Sequence, residues 1–374
     1  MNKVIGQNRA KALLHQWWMS QTIPHAILIK GKSGWGSLAL AYSFIQYIFC
    51  TNKQGLNSCG ACESCIKTQK GIHPDVHFTF PAVRPKSNEK ALSRHYLPEF
   101  RDFLQNHIYE NVWNWLQYIN AENKQGNITA DECRQIINQL NLTAYESGWK
   151  VQLIWKPEYL KENGNILLKI IEEPPAKTLI ILVAESIEEI LPTIISRVQL
   201  LPLQPLTINE ISDTLKVEFP HSKKEDRDQV AQWAEGDYFL AKSLLQKGVS
   251  NYLETIRQWF NGIFGNNQFL RIHEFVEETS NGGREYIKAI LNYSQQLIGN
   301  LIKVKIAPEF ASQYIDEEAD FLLRFSKLPV NHEQLLQMQK RISDTIYYIE
   351  RNAHAKTQLL ALSVAIQSIY RQKK

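Results

Sequence analysis

The sequence has little net charge, few cysteines and no long hydrophobic run. Its 42 Lys and Arg residues against 38 Asp and Glu residues leave a formal charge of +4. Such a mild surplus neither requires nor excludes a nucleic-acid partner, because mixed charges also cover ordinary solvated surfaces. The hydrophobic content of 44% excludes wholesale disorder, and only five cysteines in 374 residues exclude a small disulfide scaffold.

Membrane and export segments are also missing from the sequence. The longest apolar run covers residues 179–184, about a third of the roughly 20 residues that span a bilayer. The first residues mix charged and apolar side chains without a cleavable apolar stretch. Four of the five cysteines fall within sixteen positions, whereas a secreted disulfide framework would distribute them. We therefore predict a cytoplasmic chain without a membrane partner.

The first 205 residues alternate short apolar runs with helical patterns. Predicted helices cover 38–49 and 129–140, and the predicted strands are 26–30, 76–80, 150–155, 179–183 and 197–201. Strands of this composition are typical of a sheet that is covered on both faces. The alternation predicts an α/β domain with a parallel sheet and right-handed crossovers. Residues 84–126 interrupt the rhythm and are interpreted as an insertion without an assigned function.

After Pro202 the pattern becomes helical. Residues 208–248 are polar with a break at Gly236, and apolar stripes of helical period follow. The first stripe is Ile287, Ile290, Leu291, Leu297, Ile298, Leu301 and Ile302; the second is Leu335, Leu336, Ile342, Ile346 and Ile349; the third is Leu359, Leu362, Ile366 and Ile369. Stripes of this kind predict the packed core of a helix bundle.

A glycine-rich turn follows the first predicted strand. Residues 31–38 read GKSGWGSL and include Gly31, Gly34 and Gly36 before a predicted helix. Strand, glycine-rich turn and helix N-terminus together make a phosphate-binding loop. The functional motif ends in Gly-Lys-Ser/Thr, but Ser37 and Leu38 stand at the Lys and hydroxyl positions. The sequence therefore predicts a vestigial loop that does not bind or hydrolyse ATP productively.

The third predicted strand lacks the acids that such an ATPase needs. In P-loop ATPases an apolar strand ends in acidic residues that hold Mg²⁺ and position the attacking water. Trp155 and Lys156 occupy those positions, and Glu158 follows two residues late. We interpret Glu158 as a surface residue at a helix start. Two elements of one active site are thus absent together.

The cysteine cluster predicts a metal site. Cys50, Cys59, Cys62 and Cys65 have the spacing C-x8-C-x2-C-x2-C. Tight C-x2-C turns direct two thiolates at one point, and four thiolates suit tetrahedral zinc with no open coordination position. We predict one structural zinc ion per chain. Cys133 lies in a predicted helix and is interpreted as an ordinary core thiol.

Ser196 and Arg197 directly precede the last predicted strand. The residues alone favour a surface ion-pair role for Arg197.

Seven short motifs occur in an order that resembles one known family. They are VIGQ at 4–7, PHA at 24–26, the cysteine module with HPD at 73–75, NILLK at 165–169, EEPP at 172–175, SR at 196–197 and EG at 235–236. The chain resembles the clamp-loader subunits of bacterial DNA polymerase III, of delta-prime type, in the AAA+ superfamily. Val198 replaces the Cys of the Ser-Arg-Cys motif, and Ala184-Glu185-Ser186 stands where a motor presents a γ-phosphate sensor.

The resemblance implies an architecture of three domains. It implies an AAA+ α/β domain over 1–205 with the zinc module at 50–65, a helical lid domain over 206–248 and a helical collar domain over 249–374. The match in motifs covers about the first 245 residues, so the collar is placed by position.

The resemblance also implies a role in replication. Arg197, with Ser196, would act in trans as an arginine finger in the ATP site of a neighbouring motor subunit. The implied partners are the gamma/tau motors and delta, with the sliding clamp and primer–template DNA reached through the assembled complex. No ATPase or polymerase activity is expected of the chain itself, although it would be a component of a DNA polymerase holoenzyme.

Two other functions stay open at this point. The first is an active motor of gamma/tau type. Ser37 in place of the P-loop lysine and Trp155-Lys156 in place of the acids disfavour it. The second is a zinc-stabilised DNA-binding regulator, which would bind DNA alone and in a salt-sensitive manner. The small and dispersed positive charge does not favour it.

Overall fold

The structure of the chain is a computed structural model. It describes residues 1, 4–86, 89–121, 124–146, 148–265, 268–281, 283–314, 316–350 and 353–372. The chain divides into two compact units. One comprises Met1–Glu218 with Glu235–Phe239, and the other comprises Phe219–Ala234 with Leu240–Lys374.

The first unit is an α/β fold around a five-stranded sheet. Its helices are α1 (Asn8–Met19), α2 (Ser37–Phe49), α3 (Glu63–Gln69), α4 (Leu97–Asn106), α5 (Val112–Tyr118), α6 (Ala130–Asn141), α7 (Leu168–Glu172), α8 (Pro192–Ile195) and α9 (Ile208–Glu218). Its strands are β1 (Ala26–Lys30), β2 (Val76–Thr79), β3 (Lys150–Trp155), β4 (Thr178–Ala184) and β5 (Gln199–Pro202). The strand order is β2-β3-β4-β1-β5 and every pairing is parallel. The predicted parallel sheet is confirmed.

The predicted elements agree closely with this unit. Helices α2 and α6 match the predictions for 38–49 and 129–140, and Thr129 caps α6 by accepting a hydrogen bond from the backbone N–H of Glu132. Strand β5 begins two residues later than predicted because the backbone N–H groups of Ser196 and Arg197 donate to Pro192 and Ile194. Arg197 therefore lies in the turn after α8 and outside the strand.

The sheet is buried on both faces, as the composition of its strands predicts. Ile27 and Ile29 of β1 face one apolar core, whereas Ala26 and Leu28 face the other. This alternation follows from the two-residue period of a strand. Since the strands are parallel, their carboxyl ends meet at one edge of the sheet, where ligands of α/β folds usually bind.

Residues 84–126 are not the appended insertion that the sequence suggests. Helices α4 and α5 bury Phe100, Phe103 and Trp115 completely in the first core. Phe100 stacks on Phe80, with ring centroids 3.9 Å apart, and the Trp115 indole donates to the Pro81 carbonyl at 2.8 Å. The segment is an integral part of the hydrophobic core because its aromatic side chains cover the sheet.

The second unit is helical throughout its described part. It contains α10 (Lys224–Trp233), most of α11 (Tyr238–Lys247), α12 (Val249–Phe264), α13 (Gln268–Asn281), α14 (Gly283–Ile306), α15 (Asp316–Ser326), α16 (His332–Glu350) and α17 (Ala355–Arg371). Most residues of the three apolar stripes are buried, but Leu336 is 48% exposed. Leu336 directly follows buried Leu335. Because successive residues of a helix are rotated by about 100°, the two side chains lie on different faces of α16.

Among the residues that the structure describes, no helix is both long and apolar enough to cross a membrane.

Candidate functional site

The phosphate loop keeps the backbone shape of a phosphate-binding turn. It connects the carboxyl end of β1 to the N-terminus of α2. Gly34 and Gly36 have φ values of +71° and +86°, a region that side chains disfavour. The backbone N–H of Gly31 donates to the Ala184 carbonyl at 3.0 Å, which fixes the loop to the end of β4. The sequence predicts this geometry correctly.

The side chains that would act on a phosphate are absent from the loop. Ser37 is partly buried and uncharged, and Leu38 is buried in the first core. Lys32 is exposed on the loop. A helix N-terminus favours anions, but this loop supplies no lysine at position 37 and no metal-binding hydroxyl at position 38.

A buried cation replaces the acids after β3. Lys156 is nearly inaccessible, and its ammonium lies 2.5 Å from a carboxylate oxygen of Glu185, which follows β4. Burial opposes the charge, but the carboxylates of Glu185 and Glu158 outweigh it and raise the pKa of Lys156. A fixed ammonium at this edge of the sheet would repel a divalent metal ion.

Glu158 is not the surface residue that the sequence suggests. It is buried, and one carboxylate oxygen accepts hydrogen bonds from the backbone N–H groups of Glu185 at 2.6 Å and Ser186 at 3.0 Å. Burial raises its pKa although Lys156 opposes the shift. Glu158 joins the ends of β3 and β4, a role that sequence spacing alone cannot reveal.

The four clustered cysteines form a site that could hold a metal ion. Their Sγ atoms all lie within 4.8 Å of one another. Cys50 follows α2, Cys62 is the N-cap residue of α3 and Cys65 lies within α3. Gly60, with a φ of +73°, lies in the turn between Cys59 and Cys62. Tetrahedral zinc with bonds of ~2.3 Å separates its sulfurs by about 3.8 Å, close to the 3.9 Å between Cys59 and Cys65. The donor set fits such an ion.

Hydrogen bonds within the cysteine cluster favour the thiolate forms of Cys59 and Cys62, whereas burial raises the pKa of Cys65. The backbone N–H of Cys59 donates to Cys50 Sγ at 3.2 Å, and that of Cys62 donates to Cys59 Sγ at 3.3 Å. Burial opposes ionisation of Cys62, but hydrogen bonds from Thr51 outweigh it and lower the pKa to about 6. Cys133 lies apart in the second core, where burial raises its pKa to about 12. Its interpretation as a core thiol is confirmed.

The HPD motif has a structural role in this chain. The carboxylate of buried Asp75 accepts hydrogen bonds from the backbone N–H groups of Tyr145 and Glu146. The backbone N–H of Asp75 donates to His73 Nδ1 at 3.2 Å, and the His73 ring packs on Phe49. The motif thus ties the loop after α6 to the start of β2.

Arg197 is a surface residue held by a weak pair. Its Nε donates to a carboxylate oxygen of Glu172 at 2.8 Å, and its Nη1 donates to the Thr193 carbonyl and to Ser196 Oγ. The side chains of Arg197 and Glu172 are 33% and 56% exposed. Such a pair contributes only about 0–1 kcal/mol to stability, so the guanidinium can leave it at little cost.

Comparison with known proteins agrees with the ordered motifs. A profile of the family described as "DNA polymerase III, delta subunit" matches residues 6–207. DNA polymerase III subunit delta' of Bacillus subtilis (strain 168) is 28% identical over 210 residues, which are 56% of this chain and 51% of that protein. The Escherichia coli (strain K12) subunit of the same name is 29% identical over 182 residues, which are 48% and 42% of the two chains.

A subunit with a different name also matches. DNA polymerase III subunit gamma of Buchnera aphidicola is 24% identical over 280 residues, which are 72% of this chain and 64% of that protein. The alignments with the two delta' subunits span about half the length of those relatives. The family profile covers more than half of the chain. The matched residues include the phosphate loop, the cysteine cluster and Arg197. The chain therefore belongs to the DNA polymerase III delta subunit family.

Proposed function

We propose that this chain is a non-catalytic delta-prime-type subunit of a DNA polymerase III clamp loader, which helps place a sliding clamp on primed DNA. The observation that carries the proposal is that two elements of an ATPase site are replaced by uncharged or oppositely charged groups. Ser37 replaces the phosphate-binding lysine, and the buried ammonium of Lys156 replaces a metal-binding acid. A subunit with these groups contributes to an assembly by contact and geometry.

Arg197 is the residue through which the subunit would act on a neighbour. The proposed role is an arginine finger that stabilises charge on the phosphoryl group transferred in the adjacent motor subunit. The partial exposure of the Arg197–Glu172 pair supports this role, because the guanidinium is accessible and weakly held. The Ser196 hydroxyl, which accepts a hydrogen bond from Arg197, lies next to it. The proposed partners are gamma/tau motors, delta, the sliding clamp and primer–template DNA.

The domain layout and the metal remain part of the same proposal. We place an AAA+ domain at 1–205, a lid domain at 206–248 and a collar domain at 249–374. The presence of an α/β unit and a helical unit supports an AAA+ part followed by a helical part, although the observed division assigns residues 206–248 partly to each unit. We assign zinc to Cys50, Cys59, Cys62 and Cys65, because four close thiols suit that ion.

A gamma/tau-type motor is the second candidate, since the Buchnera aphidicola gamma subunit aligns with more of this chain than the two delta' relatives do. It requires nucleotide binding by the chain itself. The loop without a lysine and the Lys156–Glu185 pair both oppose that requirement. A zinc-stabilised DNA-binding regulator, the third candidate, requires DNA binding by the isolated chain.

Affinity purification of the tagged full-length chain from native lysate tests the proposal. We expect motor subunits and the sliding clamp to be recovered with it, and the isolated chain to bind neither MgATP nor DNA. Recovery of the chain alone, together with tight and salt-sensitive DNA binding, would favour the regulator. Stoichiometric ATP binding and turnover by the isolated chain would favour the motor.

A further inference from the structure

The phosphate loop is covered by a tyrosine from a distant part of the first unit. The hydroxyl of Tyr109 accepts a hydrogen bond from the backbone N–H of Ile5 at 2.7 Å. Its ring lies against Gly36, where an added Cβ would be 2.9 Å from Tyr109 Cε1. The ring thus fills the space beside the last residue of the loop before α2.

The surroundings hold this tyrosine in place. Its ring makes an edge contact with Tyr238, with centroids 5.1 Å apart, and packs against the first core. Burial raises the pKa of the Tyr109 hydroxyl well above its usual range, so the phenol stays neutral. A neutral ring between residues 5, 36 and 238 occupies the site without requiring a counter-ion.

The carboxylate of Asp237 lies against a second glycine of the loop, Gly34. A Cβ added to Gly34 would be only 1.8 Å from Oδ1 of Asp237, and the backbone N–H of Tyr238 donates to the Gly34 carbonyl at 3.3 Å. A carboxylate in contact with the loop disfavours a phosphate at this position. Ser33 Oγ, in the same loop, is buried without a hydrogen-bond partner among the described residues.

We propose that the phosphate loop is a latent nucleotide site, which Tyr109 and Asp237 keep closed. The chain would therefore carry two independent barriers to nucleotide. One is chemical, the missing lysine at position 37, and the other is steric and electrostatic. The class of ligand excluded is a nucleoside diphosphate or triphosphate, whose phosphates suit the turn and helix N-terminus. This inference goes beyond the proposed function and does not depend on Arg197.

The substitution Ser37→Lys removes the chemical barrier, so that the effect of Tyr109 on ADP binding can be measured separately. The full-length variants are Ser37→Lys alone, Ser37→Lys with Tyr109→Phe, and Ser37→Lys with Tyr109→Ala, each titrated with ADP by calorimetry. The phenylalanine variant keeps the ring and loses only the hydroxyl, so it is the matched control. We expect the alanine variant to bind ADP at least about tenfold more tightly than the other two, because it alone lacks the ring, while Asp237 is the same in all three.

Two results would overturn the proposal. One is equal ADP affinity of Ser37→Lys with Tyr109 intact and of the alanine variant. The other is a lack of ADP binding by all three variants, and by the alanine variant with Asp237→Asn added, when circular dichroism shows that they are folded. If the alanine variant does not fold, Tyr109→Leu in the same background decides by the same criteria. Either failure leaves ATP turnover in an assembled complex unaffected, because that measurement uses the natural Ser37.

Discussion

At the scale of single residues, the Lys156 ammonium is the charge that neutralises the carboxyl edge of the sheet. Its removal leaves the buried Glu158 carboxylate without a nearby cation, whereas the Glu185 side chain, 35% exposed, stays in contact with water. We expect Lys156→Met to lower the free energy of unfolding by about 1–3 kcal/mol, less than for a fully buried pair, because the Glu185 side chain is 35% exposed. Urea denaturation measures it, with Lys32→Met on the exposed part of the loop as control. A loss below about 1 kcal/mol would contradict this account.

The same residues predict a pH dependence. Burial raises the pKa of Glu158 in the folded chain, and Lys156 opposes this shift. A carboxyl with a raised folded pKa binds more protons when folded, so lowering the pH stabilises the folded state. Without Lys156 the shift is larger, and the deficit of Lys156→Met should shrink between about pH 8 and about pH 5. Denaturation at several pH values tests this, and a constant deficit would contradict it.

At the scale of elements, helices α4 and α5 are part of the core on which the sheet depends. Phe100 is fully buried between Phe80 and Trp115. We expect Phe100→Ala to lower the free energy of unfolding by about 3–5 kcal/mol, because it creates a large cavity. Tyr145→Ala, at an 81% exposed position, is the control and should change stability by less than about 0.5 kcal/mol. Equal effects would restore the interpretation of 84–126 as an insertion.

The cysteine module is a second element with a direct test. We expect the purified chain to contain one zinc ion, which Cys62→Ser should lose and Cys133→Ser should retain. Structural zinc contributes on the order of 10 kcal/mol to the folding of small modules, so chelation should also expose residues 50–65 to proteolysis. Elemental analysis and limited proteolysis measure these effects. Metal-free wild-type protein of unchanged stability would contradict the assignment.

Elements with a local sequence signal could be predicted, and those that depend on distant partners could not. Apolar runs give the five strands, and the C-x2-C turns give the cysteine cluster, because both patterns arise from neighbouring residues. The position of Tyr109 has no local signal because its partner Ile5 is 104 positions away. The burial of Glu158 has none either, because it depends on the end of β4. A lone tyrosine or glutamate carries no spacing that signals such contacts.

At the scale of the whole molecule, we propose that a chain without an ATPase site of its own acts at the ATP site of a neighbouring subunit. The α/β unit contains both the vestigial loop and Arg197, at different ends of its chain segment. In the proposed function the loop of this chain hydrolyses no ATP, whereas the partly exposed Arg197 side chain acts on another subunit. This division between a loop without ATPase activity and an arginine that acts in trans is the central claim of the proposal.

Steady-state ATP turnover of a reconstituted clamp loader tests that claim most directly. The complex is assembled with only one active motor site, the site adjacent to this subunit. Primed DNA and sliding clamp are added to stimulate its ATP turnover. Arg257→Ala is the matched control, since the Arg257–Glu254 pair is 35% and 52% exposed, much like the Arg197–Glu172 pair. We predict that Arg197→Ala leaves assembly intact and lowers turnover by about 10²-fold or more, while Arg257→Ala has no effect. Unchanged turnover in an assembled Arg197→Ala complex would contradict the account.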